Sequence, residues 1–492
     1  MPERGTGLER RHPELFWNGW HTLKPGTIAF FIAYYGRMRD TPGDHSRDRE
    51  DAEPQESPES VLAQAAALYR AGRSRDALDR LAPLVAASNA PPNALAIAAR
   101  IATELGDLER ALHYYHAAVL AAPGLAELQY GLGLTLARLG RSAEAVVAYR
   151  EAARLRPDLL PAHNNLGVIL QAMGRWPEAV EAYRNALQLA PSAELHRNLG
   201  IALEGAGRHG EAAASYRRAV ALNPQWAAPY QNLATTLLEQ GDAQGAVEAC
   251  DAWLRLRPGL PEPIGLKAVA LYELGQRDAA RHLVDLDRFL RIIEIKDPPA
   301  GYDSLSAFHA ALVRDGMAHP TLHSPGAADP HYNGPGFRTT WELFGQESGA
   351  YAALEAIFSR ALADYLATVA VPDPAHPFLA QPMPRLRPSA VITVLERPGR
   401  LAPHMHYAGY VSGVYYCQIP EAIGAPGRGR EGWFEIGCLP PRFHHRGDPE
   451  IRSIQPREGM MLLFPSYIFH RTLPFDSAQT RISIAFDTIP EP

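Results

Sequence analysis

The chain has 492 residues, which is too long for one ordinary hydrophobic core and indicates two or three domains. Hydrophobic residues make up 46% and charged residues 21% of the sequence, as is usual for a soluble globular protein. The formal net charge of -6 disfavours a nucleic-acid ligand, because nucleic acids are bound mainly by an excess of basic side chains.

Residues 37–60 are rich in Arg, Asp, Glu, Ser and Pro. So polar a stretch cannot bury enough apolar surface to offset the entropy of ordering, so we predict a largely disordered N-terminal lead-in over residues 1–58. The apolar run 28–35 is much shorter than the roughly 18 to 20 residues needed to cross a bilayer, and the usual order of a secretory signal is missing. We expect no membrane association, and residues 1–36 receive no role.

A regular period begins near residue 59. Glycines recur at intervals of 33 or 34 residues, at Gly72, Gly106, Gly140, Gly174, Gly207, Gly241 and Gly275. Five residues after each glycine comes an alanine, at Ala77, Ala111, Ala145, Ala179, Ala212, Ala246 and Ala280. Seventeen residues after most of them comes a proline, at Pro123, Pro157, Pro191, Pro224 and Pro258. Seven repeats are therefore predicted over residues 59–292.

Each period predicts two amphipathic helices, with a turn at the glycine, close helix contact at the alanine and an end at the proline. This spacing resembles the tetratricopeptide repeat. The resemblance implies an all-α superhelix whose concave face is lined by the first helix of each pair and can hold an extended protein or peptide partner. Aromatic side chains at a fixed helical position are expected to pack between helices: Tyr115, Tyr149, Tyr183 and Tyr216.

Three asparagines, Asn165, Asn198 and Asn232, each lie nine residues before their repeat glycine. They resemble the asparagine ladder in the repeat domain of O-linked N-acetylglucosamine transferases, and we predict that they bind a partner's backbone, because a side-chain amide both donates and accepts hydrogen bonds. The alternative is that asparagine merely favours this position, since the first three repeats have none there.

After residue 292 the period ends and short β-branched and aromatic runs follow, at residues 390–395, 410–418, 459–464 and 481–487. These runs predict strands. With few helical stretches after residue 380, they predict a sandwich or a jelly roll over residues 293–492. Of these we expect the jelly roll, a double-stranded β-helix with flanking helices.

Two histidines in this domain, His404 and His406, are separated by one residue, so on an extended chain both imidazoles project from the same face. His470 follows the predicted strand at 459–464. We predict that the three imidazoles bind one metal ion with open positions, and imidazole suits iron, copper, nickel and zinc alike.

Arg481 and Ser483 lie on one face of the last predicted strand, opposite an apolar face. An inward-facing arginine needs a carboxylate partner, and its planar fork binds one through two hydrogen bonds. The alternative is an ordinary surface arginine on an edge strand.

The segments PHMHYAGYVSGVYY, LFPSYIFH and RISIAFD resemble the 2-oxoglutarate/Fe(II)-dependent oxygenases, specifically the bacterial branch that follows tetratricopeptide repeats and has an HxH pair. The resemblance extends more weakly upstream to about residue 290. It implies that His404, His406 and His470 hold Fe(II). Arg481, Ser483 and, by strand alternation, Tyr416 would contact the co-substrate 2-oxoglutarate. No catalytic residue is expected beyond the metal ligands.

The sequence departs from that family at His406. Most such oxygenases have HxD there, which completes a triad of two histidines and one carboxylate. A neutral imidazole at this position leaves the identity of the metal open. If a carboxylate ligand is still required, Asp487 is a candidate outside the expected position.

The resemblance implies a dioxygenase that uses 2-oxoglutarate and dioxygen, and we expect it to hydroxylate a protein or peptide held by the repeats. One alternative is a cupin-type metalloenzyme, although the glutamate expected shortly after HxH is missing. Another is a non-catalytic adaptor with a degenerate oxygenase domain.

Three isolated cysteines, with no CxxC pair, favour the reducing cytoplasm: Cys250, Cys417 and Cys438.

Overall fold

The structure of the chain is a computed structural model, and it describes residues 56–325, 332–333, 335–340, 343–407, 409–443 and 449–491. The predicted lead-in at 1–58 therefore lies almost entirely outside the described residues. The chain forms two compact units, Met1–Leu222 and Asn223–Pro492. The domain boundary at residue 292, which is placed by the end of the sequence period, stays a prediction.

The described part of the first unit consists of five helix pairs. Their helices are α1 Pro58–Arg70, α2 Ser74–Val85, α3 Pro92–Glu104, α4 Leu108–Ala121, α5 Ala126–Arg138, α6 Ser142–Leu155, α7 Leu160–Ala172, α8 Trp176–Leu189, α9 Ala193–Gly205 and α10 His209–Leu222. The second unit begins with two further pairs, α11 Ala228–Gln240 with α12 Ala243–Leu256, and α13 Pro261–Glu273 with α14 Arg277–Leu283. The seven predicted helix pairs are thus confirmed over the described residues.

The periodic residues occupy the positions that the pattern predicted. All seven repeat glycines lie between the two helices of a pair with φ between 70° and 81°, a conformation that costs glycine little. All seven following alanines are completely buried, which lets neighbouring helices approach closely.

The tyrosines pack against glycines of a neighbouring helix. A methyl group added at Gly131 would lie 2.4 Å from the ring of Tyr115, and one at Gly200 would lie 2.4 Å from the ring of Tyr216. These rings are almost fully buried, so the prediction that they pack between helices is confirmed. The small residue on one helix and the large ring on the next form one complementary contact.

The rest of the second unit contains two β-sheets with helices on one side. The helices are α15 Leu286–Phe289, α16 Leu305–Met317 and α17 Ala350–Val369. The strands are β1 Arg291–Glu294, β2 Tyr332–Asn333, β3 Gly336–Arg338, β4 Leu386–Leu395, β5 Arg400–His404, β6 Val411–Gln418, β7 Phe434–Ile436, β8 Arg452–Ile454, β9 Met460–Pro465, β10 His470–Thr472 and β11 Arg481–Pro490. The four predicted strands correspond to β4, β6, β9 and β11.

One sheet has the strand order β1-β9-β6-β11-β4-β3 and the other β2-β5-β10-β7-β8, and all the pairs are antiparallel. Phe434 of one sheet contacts Phe464 of the other, with ring centroids 5.7 Å apart, so the two sheets face each other. This is the antiparallel arrangement expected for a jelly roll.

The larger sheet has two chemically different faces. On its outer face Phe486 packs against Phe358 of α17, and Tyr415 donates to or accepts from His309 of α16 at 2.8 Å. The alternate residues of β6 and β11 therefore face the second sheet. No helix among the described residues combines the length and the apolar character needed to cross a bilayer.

Candidate metal centre

The HxH pair lies where β5 ends. His404 is the last residue of β5, and the backbone N–H of His406 donates to the carbonyl of Ser466 at 3.0 Å. Met405 between them is 2% exposed, and its sulfur lies close to Gly265 of α13. The extended chain thus directs the two imidazoles to one side and the thioether to the other.

His470 begins β10 and lies directly opposite His404 in the β5–β10 pair. The centroids of the imidazoles of His404 and His406 are 5.2 Å apart, those of His404 and His470 4.4 Å, and those of His406 and His470 5.0 Å. One nitrogen from each residue lies within 4.8 Å of the others. The structure therefore brings the three predicted histidines together, at a spacing that suits one metal ion.

The partners of the Nδ1 atoms determine which nitrogens can bind a metal. Nδ1 of His404 lies 2.8 Å from the carbonyl oxygen of Ala402, and Nδ1 of His470 lies 3.1 Å from that of Ile468. A carbonyl oxygen only accepts hydrogen bonds, so each Nδ1 carries the hydrogen. Nε2 of both rings then carries no hydrogen, which is the form in which an imidazole nitrogen binds a metal.

His470 is the most enclosed of the three ligand candidates. It is 6% exposed and lies between the rings of Phe434 and Phe464, whose centroids are 5.5 Å and 4.9 Å from its own. His404 and His406 are partly exposed. The centre thus has an aromatic wall on one side and access from solvent on the other.

Arg481 is among the most deeply buried polar side chains in the described part of the chain. It is 1% exposed, its guanidinium carbon lies 5.0 Å from the ring centroid of Tyr416, and Nη1 is 3.5 Å from the hydroxyl of Ser483. Tyr416 and Ser483 are opposite each other in the β6–β11 pair. The surface-arginine alternative is therefore wrong, because this guanidinium is buried between the sheets.

The Tyr416 hydroxyl is buried and makes no hydrogen bond of ordinary geometry among the described residues. Burial raises the pKa of Tyr416 to about 12, although the positive charge of Arg481 opposes this shift. A buried hydroxyl that can still donate, beside a buried guanidinium, fits a carboxylate ligand. The donor groups present thus fit the co-substrate that the resemblance implied.

The inward face of β6 and β11 has two polar ends. Tyr416 and Ser483 are paired at one end, with Arg481 beyond them, and Ser412 and Asp487 are paired at the other. The small apolar pair Val414 and Ala485 lies between these ends. The Asp487 end touches the histidine cluster, because its Oδ1 lies 2.6 Å from Nδ1 of His406.

Asp487 is the one neighbour of the histidines that the sequence suggested in a different role. It is not among the possible metal ligands that converge in the described part of the chain, which are the three histidines. Its carboxylate contacts the far nitrogen of His406 instead. Asp487 shares a face of β11 with Arg481 and Ser483, but nothing in the sequence indicated its contact with a residue 81 positions away.

The three asparagines lie on first helices of the repeats and are each partly buried: Asn165 on α7, Asn198 on α9 and Asn232 on α11. The side-chain amide of Asn165 donates to the hydroxyl of Tyr130 at 3.2 Å. Asn165 and Asn198 belong to the first compact unit and Asn232 to the second. Their role in binding a partner stays a prediction.

Family models match three parts of the chain. Residues 390–487 match the family described as "Putative 2OG-Fe(II) oxygenase", and residues 98–159 and 158–225 match tetratricopeptide-repeat models. No curated protein sequence matches this chain. The oxygenase match contains all three histidines of the cluster together with Arg481.

The chain is also similar to several solved repeat structures. MamA of strain AMB-1 is 24% identical with a TM-score of 0.32, and the match covers 33% of this chain and 90% of that one. MamA from Desulfovibrio magneticus RS-1 is 22% identical with a TM-score of 0.32, covering 35% and 96%. YrrB, described as a TPR protein with an unusual peptide-binding site, is 19% identical with a TM-score of 0.32, covering 35% and 91%.

Proposed function

We propose that this chain, which joins tetratricopeptide repeats to a 2OG-Fe(II) oxygenase domain, is a dioxygenase that hydroxylates a protein or peptide recruited by its repeats. The observation that carries the proposal is the convergence of His404, His406 and His470 beside a buried guanidinium, all within the matched domain. Three imidazoles supply metal ligands, and the guanidinium supplies a partner for an acid bound at the same centre.

The residues at the two ends of the centre have different proposed roles, metal binding at one end and co-substrate binding at the other. His404, His406 and His470 would hold Fe(II) through Nε2, because at His404 and His470 a backbone carbonyl already binds the Nδ1 hydrogen. Fixed rings of this kind lower the reorganisation needed when a metal binds. Fe(II) held there would activate dioxygen: one oxygen atom would oxidise 2-oxoglutarate to succinate and CO2, and the other would hydroxylate a C–H bond of the substrate.

At the other end, Arg481 would bind the distal carboxylate of 2-oxoglutarate, with hydrogen bonds from Ser483 and Tyr416. The buried position of Arg481 strengthens such an ion pair, since little water competes for either charge. Val414 and Ala485 offer small apolar surfaces to the carbon chain of the acid between its two ends. This division explains why two polar clusters occur on one otherwise apolar strand pair.

The repeats support a protein or peptide as the substrate. Superhelical arrays present first-helix side chains to extended chains, and Asn165, Asn198 and Asn232 recur there at the repeat spacing.

We also propose a reducing, cytoplasmic location, which the three buried free thiols of Cys250, Cys417 and Cys438 support.

The test is turnover by the full chain. Purified protein with Fe(II), 2-oxoglutarate and dioxygen is expected to form succinate, and a library of extended peptides is expected to yield products heavier by one oxygen atom. Arg481→Lys keeps a positive charge but loses the planar fork, so the Kd for 2-oxoglutarate should rise roughly 10- to 100-fold while metal binding persists. Arg457→Lys, at an exposed arginine of the same domain, is the matched control.

Three results would overturn the proposal. Absence of succinate under all conditions with metal bound would favour the adaptor. Equal 2-oxoglutarate affinity in Arg481→Lys and in the control would favour a cupin-type enzyme, which has no use for this arginine. A third result is succinate formation with no oxygenated peptide, in which the Asn165→Ala and Asn198→Ala variants also behave as the parent chain does. It would show that the repeats do not recruit the substrate.

A further inference from the structure

The three histidines of the cluster differ in the chemistry of their Nδ1 partners. His404 and His470 each face a neutral backbone carbonyl, at 2.8 Å and 3.1 Å. His406 instead faces the carboxylate of Asp487, at 2.6 Å. The one histidine that replaces the usual aspartate ligand is therefore the one that contacts an aspartate.

Asp487 is held in place from several sides. It lies opposite Ser412 in the β6–β11 pair, and the Ser412 hydroxyl, which is completely buried, donates to its Oδ1. The backbone at Gly409 also comes close, since an added methyl group there would lie 3.1 Å from Oδ1. The Asp487 side chain is 11% exposed. The carboxylate is thus fixed by strand pairing and not by a flexible loop.

The direction of the hydrogen bond follows from the acceptor. A carboxylate accepts hydrogen bonds, so Nδ1 of His406 donates and its Nε2 is the nitrogen without a hydrogen, the form that binds a metal. Among the described residues, His406 is the one cationic or imidazole side chain within ion-pair distance of Asp487. The negative charge of Asp487 is therefore directed at this imidazole.

We propose that Asp487, held by Ser412, is a positioning residue for His406 and supplies through the imidazole the negative charge that an aspartate ligand would supply directly. The inference rests on the proposed metal centre. A carboxylate that accepts the Nδ1 hydrogen makes an imidazole a stronger electron donor and fixes both its tautomer and its ring orientation. His406 lacks the negative charge that an aspartate at this position would bring to the metal. Asp487 then supplies this charge from behind the ligand, through its contact with Nδ1.

The experiment measures metal affinity of the full chain by anaerobic Fe(II) titration, with Co(II) as a spectroscopic probe. Asp487→Ala removes both charge and acceptor, and the Kd should rise about 10- to 100-fold. Asp487→Asn keeps an acceptor oxygen without the charge, so it should give a smaller increase, and both variants should shift the visible ligand-field bands of bound Co(II). Ser412→Ala should weaken metal binding in the same direction as Asp487→Asn.

The matched control is Glu435→Gln. Glu435 is another buried carboxylate of this domain, at 5% exposed, but it pairs with Arg471 and Ser453 and not with a cluster histidine. Its replacement is expected to lower the melting temperature without changing the Co(II) bands. A change in those bands as large as in Asp487→Asn would show that any lost buried charge perturbs the site, and would overturn the inference.

A second set of variants separates the effect of the Asp487 charge on metal binding from its effect on folding. In a His406→Asp background the charge is restored at the ligand position, and Asp487 then faces another carboxylate. Asp487→Asn should therefore strengthen metal binding in this background, whereas it weakens binding in the parent chain. A weakening of similar size in both backgrounds would mean a merely structural role.

The failures of the two proposals are distinguishable. If the parent chain binds no metal through its histidines, the proposed function fails. If the parent binds metal and 2-oxoglutarate but Asp487→Ala and Asp487→Asn bind both equally well, only the role of Asp487 is overturned.

Discussion

The repeats and the β-sheet domain build their surfaces in different ways. In the repeats, equivalent residues recur at a fixed spacing, so Asn165 and Asn198 occupy matching positions on α7 and α9. In the sheets, the centre combines His404, His470 and Asp487 from three different strands. Loss of one repeated position would remove one of several similar candidate contacts, whereas loss of one residue in the sheets would remove a candidate ligand that no other residue duplicates.

The two regions also differ in how tightly a candidate site residue is coupled to the packing of the core. The repeat asparagines are partly buried on helix surfaces. Met405 lies between His404 and His406, and Tyr467 precedes His470 by three residues. Both are 2% exposed or less and both lie against Gly265 of α13. Changes in the core are therefore expected to reach the metal centre in the sheets but to remain local in the repeats.

The largest effect is expected at His470. His470→Ala removes one of the three candidate ligands that converge, so stoichiometric metal binding and the thermal stabilisation by added metal should both disappear. His113→Ala, an exposed histidine of the repeats, is the control and should behave as the parent chain does. Metal content after dialysis and melting temperature with and without Co(II) measure the difference. Retained stoichiometric metal in His470→Ala would contradict the assigned centre.

A smaller effect, which reaches both stability and metal affinity, is expected at Gly265. An added methyl group would lie 2.5 Å from the carbonyl oxygen of Tyr467 and 2.8 Å from the sulfur of Met405. Backbone must therefore move in Gly265→Ala, at a cost of about 1 to 3 kcal/mol. Because Met405 separates the two HxH histidines, the metal Kd should rise as well. Denaturant unfolding and Co(II) titration are the measurements. Unchanged metal affinity in a destabilised variant would show that packing at Gly265 is not coupled to the metal centre.

The corresponding change in the repeats is Gly200→Ala. The methyl group would lie 2.4 Å from the ring of Tyr216, so a loss of about 1 to 3 kcal/mol in unfolding free energy is expected, with unchanged metal affinity. Gly210→Ala on α10 meets nothing within 4 Å and should instead stabilise by about 0.5 to 1 kcal/mol, as alanine does in a helix. Equal effects of the two substitutions on denaturant midpoints would refute the packing argument.

The sequence predicted most of the repeats because their pattern is local. Glycine turns, buried alanines and proline ends are repeated every 34 residues, and all of them describe contacts within a pair or between neighbouring pairs. In the sheets, β4, β6, β9 and β11 were predictable from their β-branched and aromatic composition. The short strands β7, β8 and β10 were not, since three residues have no readable period and strand pairing alone defines them.

The candidate site was only partly predictable for the same reason. The HxH spacing and the face alternation of β11 are local patterns, and they were enough to predict His404, His406, Arg481 and Ser483 as site residues. His406 follows β5 of one sheet and Asp487 lies on β11 of the other, so their contact depends on how the two sheets pack, which no local pattern specifies. The approach of Gly265 to Tyr467 depends on how a repeat helix packs on the sheet, which is a matter of tertiary structure.

A pH dependence of stability is also expected in the repeats. Burial raises the pKa of Glu262 on α13 to about 8, although a hydrogen bond from Gln231 opposes this shift. The folded chain then holds a proton that the unfolded chain releases above its ordinary pKa of 4.5. Stability from this group is therefore complete below that value and is lost as pH rises toward about 8.

Glu262→Gln removes the titrating group but keeps an amide of similar shape. The variant is expected to melt at a higher temperature than the parent chain at pH 9, with a smaller difference at pH 5. Glu248→Gln, at an exposed glutamate on the neighbouring helix α12, is the control and should melt as the parent chain does at both pH values. If the difference in melting temperature between Glu262→Gln and the parent chain is the same at every pH, Glu262 does not hold a buried proton.

The number of imidazoles on the metal tests the central claim most directly. X-ray absorption spectra of the full chain loaded with Fe(II) should fit three histidine ligands in the parent and two in His406→Asp, with further ligands from oxygen. A parent spectrum that fits fewer than three imidazoles, or a metal bound through the Asp487 carboxylate, would contradict the account.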